Sequence, residues 1–324
     1  MSVSKRIRRP NTVHIYTEGD EYPALQSVDF DAVIADFITF CKAKNLSVNS
    51  VTYYGNSLKE LKRLLAEAGV NQPNEITEDA FKAIIIAKLE SGAKDTYVQS
   101  MMRGWRVFFR YIYDQGFVKV NAAENVPLIK SSRRMLQTLT KPQIKQLLAV
   151  PDLTTFIGYR NYTILNVFLE TGVRVSELED IRLSNVLWDE RSIRVFGKGR
   201  KERYVPFQST VMKILKKYAN IRGPLSHDYL FVNIDNTPLK KRTIQEFVSD
   251  YGDIAKIRGV RVSCHTLRHS FAKLFILNGG DPYSLREIMG HVSLEQALTY
   301  VSMFGTDVMK QHRKFSPIDR LDDV

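Results

Sequence analysis

The 324-residue sequence has only two cysteines, Cys41 and Cys264, too few for a disulfide framework and without the spacing of a metal site, so a reducing compartment is expected. Long hydrophobic runs are missing too. The longest apolar stretches, such as 83–87, fall far short of the roughly 20 residues that span a bilayer. The basic N-terminus, MSVSKRIRRP, is not followed by an apolar segment of signal-peptide length. The expectation is a soluble, cytoplasmic protein with no membrane partner. Glycine (17) and proline (11) are not enriched, which argues against a fibre or long disorder. Acidic residues are in deficit, 35 against 47 Lys plus Arg, and the resulting +12 implies a polyanionic partner such as nucleic acid or an acidic membrane surface.

What is present is enough apolar material, 44% of residues, to build real cores, and a length that suits two domains. Residues 1–27 lack periodicity and carry the basic run Lys5 to Arg9, as expected of an N-terminal tail. From 28 to 127 the pattern is helical: Phe30, Val33, Ile34, Phe37 and Phe40 recur at helical spacing, as do Leu58, Leu61, Leu64 and Leu65. A helix is expected from about Tyr97 to Tyr113, with Met102, Trp105, Phe109 and Ile112 as its core stripe and Arg103, Arg106 and Arg110 beside it. A basic ridge flanking an apolar one suits a helix that packs on its domain and lies along phosphates, although a solvated helix face reads the same way. Lys94 and the linker residues Arg133 and Arg134 complete the candidate DNA-binding cations.

Residues 128–137 read as a basic interdomain linker, and 138–324 as a second domain with its C-terminal tail. Thr140 followed by Gln143 forms a capping-box helix start. A helix over about 158–170 should end near Gly172, and Ser176 with Glu179 suggests the cap of the next. Val186 to Trp188, Ser192 to Phe196 and Arg203 to Phe207 are strand-like, separated by turns at Asp189-Glu190 and at GKGRK. Asp281-Pro282 opens a later helix, Gly290 closes it, and Ser293 with Gln296 caps another.

Displacement at a phosphodiester by a protein hydroxyl needs a nucleophile, cationic donors for the nonbridging oxygens, a proton acceptor, and a proton donor for the leaving oxygen. The second domain holds residue types for all four. Arg174 follows Gly172 in a tight turn, Arg268 follows His265 by three residues, His291 lies at a helix junction, and Tyr300 comes nine residues later. Singly, each has a structural explanation: a surface arginine, a hairpin lysine at Lys198, a packed tyrosine.

At these positions the sequence resembles the tyrosine recombinase family of phage integrases and Xer-type resolvases, over about 28–318. The motifs run in the family's order: TGVRVSEL (171–178), FGKGRK (196–201), HTLRHSFA (265–272), MGH (289–291) and LTYV (298–301). The first domain is similar to the family's helical, SAM-like core-binding domain, in SVNSVTYYGNSLKELKRLL and MMRGWRVFFRYIYDQGFVKVNAAENV. Asn121-Ala122-Ala123 stands where Asn-Pro-Ala is usual, which loosens a turn.

The resemblance implies a mainly α fold with a small antiparallel β-sheet (α+β) in the C-terminal domain. The two domains, core-binding and catalytic, would form a clamp. It implies that Tyr300 attacks the scissile phosphate, that Arg174, Arg268 and His291 hold its oxygens, that Lys198 is the general acid and that His265 accepts the proton. Glu177 is expected to orient Arg174 or His265, and His269 and Cys264 to serve packing. No cofactor is implied, because a 3′-phosphotyrosyl link conserves the ester's energy. The implied partners are double-stranded DNA with a specific core site and a homotetramer on paired sites, with accessory DNA-bending or directionality proteins as further candidates. The tail with Val308, Met309 and Phe315 is a candidate docking segment. Three other readings compete: a DNA-binding regulator without catalysis, a type IB topoisomerase-like relaxing enzyme, and a metal hydrolase built on His265 and His269, which lacks the glutamate of the zinc motif.

Overall fold

The computed structural model describes residues 29–130, 136–197, 202–290 and 298–301, together with 312, 316 and 318. The expectations for the N-terminal tail, Arg133, Arg134, Lys198, His291, the 293–296 cap and the C-terminal docking segment fall outside the described residues. The chain divides into two compact units, Met1–Arg134 and Met135–Val324.

In the first unit, helices α1 (Phe30–Ala43), α2 (Val48–Glu67), α3 (Glu78–Glu90) and α4 (Asp95–Asp114) enclose one apolar core. Side-chain oxygens of Asp29, Ser47 and Thr77 cap the first three by accepting from an amide three residues on, supplying one of the bonds a helix start lacks. The stripe read on α4 is the inward one: Met102, Trp105, Phe109 and Ile112 are buried, and the Trp105 indole donates to the Ser57 carbonyl at 2.9 Å. Burying a side chain of this size contributes roughly 1.5–3 kcal/mol, so four at helical spacing dictate which face turns in. The loosening expected at Asn121 is offset locally, since its Oδ1 accepts from the Ala123 amide at 3.2 Å while Ala122 and Ala123 are buried.

The second unit is also mainly helical among the described residues. Helices α5 (Lys141–Leu148), α6 (Phe156–Thr171) and α7 (Val175–Glu179) precede strands β1 (Val186–Leu187), β2 (Ser192–Phe196) and β3 (Glu202–Pro206). Helices α8 (Ser209–Arg222), α9 (Lys241–Ile254), α10 (Cys264–Leu277) and α11 (Pro282–Met289) follow. The strands form an antiparallel sheet in the order β1-β2-β3, with Ile193 opposite Val205 and Val195 opposite Arg203. Thr140 and Gln143 make the expected capping box on α5.

One local expectation is corrected. The first residue of α7 is Val175 and its N-cap is Arg174, not Ser176, because the Glu177 carboxylate reaches back to the Arg174 amide at 2.7 Å. The main core lies between the sheet and helices α5 to α10, and a smaller apolar cluster joins α10, α11 and Tyr300.

Candidate active site

Two left-handed glycines build the site's frame. Gly172, at φ 60°, ends α6 and turns the chain so that Arg174 opens α7. A Cβ on Gly172 would come within 2.3 Å of the Phe271 ring, so only glycine allows α10 to pack this close. Gly290, at φ 62°, closes α11 in the same way and leaves the last carbonyls of that helix without partners inside the helix.

Two of the arginines expected to hold phosphate anchor there. Arg268, buried on α10, donates through Nη2 to the Met289 carbonyl at 2.7 Å and through Nη1 to the Gly172 carbonyl. Arg174 donates through Nη2 to the Gly290 carbonyl at 3.0 Å. Burial pushes the Arg268 guanidinium down to about 10, and the nearby Arg174 charge adds to that. Glu177 belongs to Arg174 rather than to His265. Its carboxylate, 2% exposed, accepts from the Arg174 amide, from Arg174 Nη1 at 2.8 Å and from two nitrogens of Arg203. Burial pushes the Glu177 carboxyl up, but hydrogen bonds and charge from Arg203, with those of Arg174, hold it below the usual range.

Tyr300 sits in the small cluster formed with Phe271, Leu285 and Met289, and is only 4% exposed. Its hydroxyl lies 2.7 Å from His269 Nδ1. Burial pushes the phenol up and the Arg268 charge pulls it the other way. His269 itself is pushed down to about 4, first by burial and then by the charges of His265 and Arg268. With the imidazole neutral and the phenol protonated, the contact is satisfied by Oη–H donating to Nδ1.

His269 is therefore more than a packing residue, because its ring meets a partner 31 positions away that no local pattern reveals. His265, one turn earlier, is exposed on the wall of a cleft of about 510 Å³ that it shares with Arg242, Glu246, Arg261 and Ser263. The two histidines of the metal reading thus face different surroundings. Among the described residues no three His, Cys, Asp or Glu side chains converge as a metal site.

The residue that sequence reasoning missed is Arg203. A signal existed: on β3 the period of two puts Arg203 and Val205 on one face, and Val205 is buried, as is Phe207 just after the strand. A charged side chain on an inward face needs buried partners.

In the first unit, Lys94, Arg103 and Arg110 are exposed and Arg106 is half-buried. Arg103 bonds Gln99 at 3.2 Å, and Arg110 pairs with Asp114 at 2.9 Å.

Comparison with known proteins bears on the family and the fold. Residues 137–305 match the model of the Phage integrase family. The chain is 30% identical to the tyrosine recombinase XerC of Thermodesulfovibrio yellowstonii, covering 90% of this chain and 98% of the relative. It is 28% identical to the tyrosine recombinase XerD of Staphylococcus haemolyticus, covering 89% and 99%. In fold it is similar to the XerH site-specific recombinase bound to a palindromic difH substrate, with a TM-score of 0.70 at 20% identity, covering 87% and 83%. It is also similar to a lambda integrase tetramer bound to a Holliday junction, with a TM-score of 0.71 at 16% identity, covering 87% and 80%. With over half its length matched by one family model and nearly all of it aligned to a relative at 30% identity, the chain belongs to the phage integrase family and is a tyrosine recombinase of the Xer-like type.

Proposed function

We propose that this recombinase cuts and rejoins double-stranded DNA at a specific core site through a covalent 3′-phosphotyrosyl bond on Tyr300. The observation that carries the reading is the shared anchorage of Arg174 and Arg268 at the end of α11, with Tyr300 in the cluster that packs on the same helix. Two planar guanidinium forks in one place suit the two nonbridging oxygens of a phosphodiester, a geometry that lysine cannot copy.

The step balances without a cofactor. The Tyr300 oxygen forms a bond to phosphorus as the bond from phosphorus to the 5′ oxygen breaks. The phenol proton passes to His265, and Lys198 supplies a proton to the leaving oxygen. One ester replaces another, so attack by a second 5′ hydroxyl reseals the strand at little net cost. Glu177 acts as a supporting residue through Arg174, and His291 adds a donor to the phosphate.

Since one tyrosine cuts one strand, exchanging two duplexes takes four copies, which supports a homotetramer on paired sites. The first unit acts as a core-binding domain and the second as the catalytic domain, in a soluble, cytoplasmic protein. Lys94, Arg103, Arg106 and Arg110, with Arg133 and Arg134, contact phosphates outside the reacting one. Accessory DNA-bending or directionality proteins are further candidate partners. Tyr300 is too enclosed at rest to meet a phosphate, so cleavage requires its segment to move.

The test uses nicked duplexes made from DNA flanking the protein's own gene. The wild-type chain is expected to form an adduct that survives denaturing electrophoresis. Tyr300→Phe is expected to keep the non-covalent band shift and lose the adduct altogether. An undiminished adduct in Tyr300→Phe would overturn the reading.

A further inference from the structure

The end of α11 holds a third arginine. Three successive carbonyls each accept from a different guanidinium: Ile288 from Arg203 Nε at 2.8 Å, Met289 from Arg268 Nη2 at 2.7 Å and Gly290 from Arg174 Nη2 at 3.0 Å. The helix dipole makes this end electronegative, so three cations gather where one helix stops. Arg203 also grips Glu177 with a two-pronged fork, Nη1 to Oε1 at 2.7 Å and Nη2 to Oε2 at 2.9 Å. Each Glu177 oxygen then takes its second bond from Arg174, Oε1 from Nη1 and Oε2 from the backbone amide. The carboxylate's four acceptor sites are filled.

Access separates the two arginines. The Arg203 side chain is 13% exposed and every one of its nitrogens is spent on protein acceptors, whereas the Arg174 side chain is 38% exposed. Arg174 can therefore meet a ligand, while Arg203 faces the protein. An added Cβ at Gly290 would lie 3.0 Å from the Arg203 guanidinium, so the fork also packs flat against the turn that ends α11.

We propose that Arg203 is a positioning residue for strand cleavage. It fixes the Glu177 carboxylate, and through it the plane of the Arg174 guanidinium, while tying β3 to the end of α11. The proposal rests on the reading that Arg174 holds the scissile phosphate. It adds that the holding geometry is set from the hairpin strand and not by Arg174 alone.

Arg203→Lys keeps the charge but cannot make the fork and the Ile288 bond together, and Arg203→Gln removes the charge. On a nicked substrate that the wild-type chain cleaves, both variants are expected to slow adduct formation by about ten- to a hundredfold while non-covalent DNA affinity stays within about twofold. A purely structural defect could imitate that loss. The distinguishing substrate carries a methylphosphonate at the cleaved position, which removes the negative charge Arg174 is held to meet. There the gap between wild type and variant is expected to shrink to within about threefold, because charge complementarity no longer matters.

An equal slowing on both substrates, or none on either, overturns the proposal. A DNA-free measurement stands beside this. In a spectrum of ¹⁵N-labelled arginine side chains, the Arg174 Nε–H signal, assigned from Arg174→Lys, is expected to shift in Arg203→Lys with the fold intact by circular dichroism. An unmoved signal refutes the positioning role whatever the DNA shows. If the wild-type chain makes no adduct at all, the recombinase reading fails instead, and the signal still decides the role of Arg203.

Discussion

Arginines do opposite work in the two units. On α4, Arg103 and Arg110 stand on an exposed face, each with a neighbour four residues along the same helix, so the contacts that hold them come from local spacing. At the end of α11, Arg174, Arg203 and Arg268 come from three separate elements and are held by carbonyls distant in the chain and by one carboxylate, which is 26 residues from Arg203 though only three from Arg174. The first arrangement suits attraction to a polyanion in many registers. The second suits a single oxygen geometry. What separates them is how many bonds each guanidinium must break in order to turn.

The largest expected effect comes from removing the carboxylate of the buried group. Glu177→Ala leaves two arginines facing each other beside Arg268 and is expected to cost about 3–5 kcal/mol, whereas Asp114→Ala on α4 should cost less than about 1 kcal/mol. Urea unfolding followed by Trp188 fluorescence in a Trp105→Phe background reports the second unit, which holds Glu177, and Trp105 fluorescence in a Trp188→Phe background reports the first, which holds Asp114. Similar losses at both positions would erase the comparison.

Next comes pH. His269 is held near 4 in the folded chain against 6.5 as an ordinary histidine, so its contribution is fully present above pH 6.5. It is lost as pH falls from 6.5 towards 4, because the unfolded chain takes up a proton that the folded chain refuses. The decline is expected to be on the order of 2 kcal/mol and to flatten in His269→Asn. A variant with the same pH slope as wild type would show that the buried imidazole is not its source.

The smallest effect belongs to the exposed helix. Arg103→Ala should weaken DNA binding uniformly across sequences and lower the salt slope by about one counterion. Sequence-dependent weakening would mean that Arg103 is held as rigidly as the buried cluster.

The parts of the fold legible from the sequence were those that local chemistry decides. The α4 stripe, the Thr140–Gln143 box, the three strands and the glycines ending α6 and α11 are all signalled by residue types and spacings within a short stretch of chain. Ser176 misled as a cap because serine is the usual N-cap residue. Here the Glu177 carboxylate, itself fixed by Arg203, takes the Arg174 amide instead. His269 and Arg203 stayed hidden for a shared reason. Their partners lie 31 and 26 residues away, and only the packing of α10, α11 and the sheet brings them into reach. Part of Arg203 was nonetheless within reach of strand periodicity, since an arginine on the same face as the buried Val205 needs an acceptor inside.

At the close of α11 every acceptor for the arginines is main chain, and every donor is a side chain. Drift at Ile288 or Met289 therefore leaves the docking points where they are so long as the helix keeps its length and Gly290 its turn. The burden of heredity falls on the three guanidinium groups and on two glycines, while the surface that receives them is supplied by any sequence that makes the bend. A lineage can thus remodel this helix for new surroundings without renegotiating how its cations are seated.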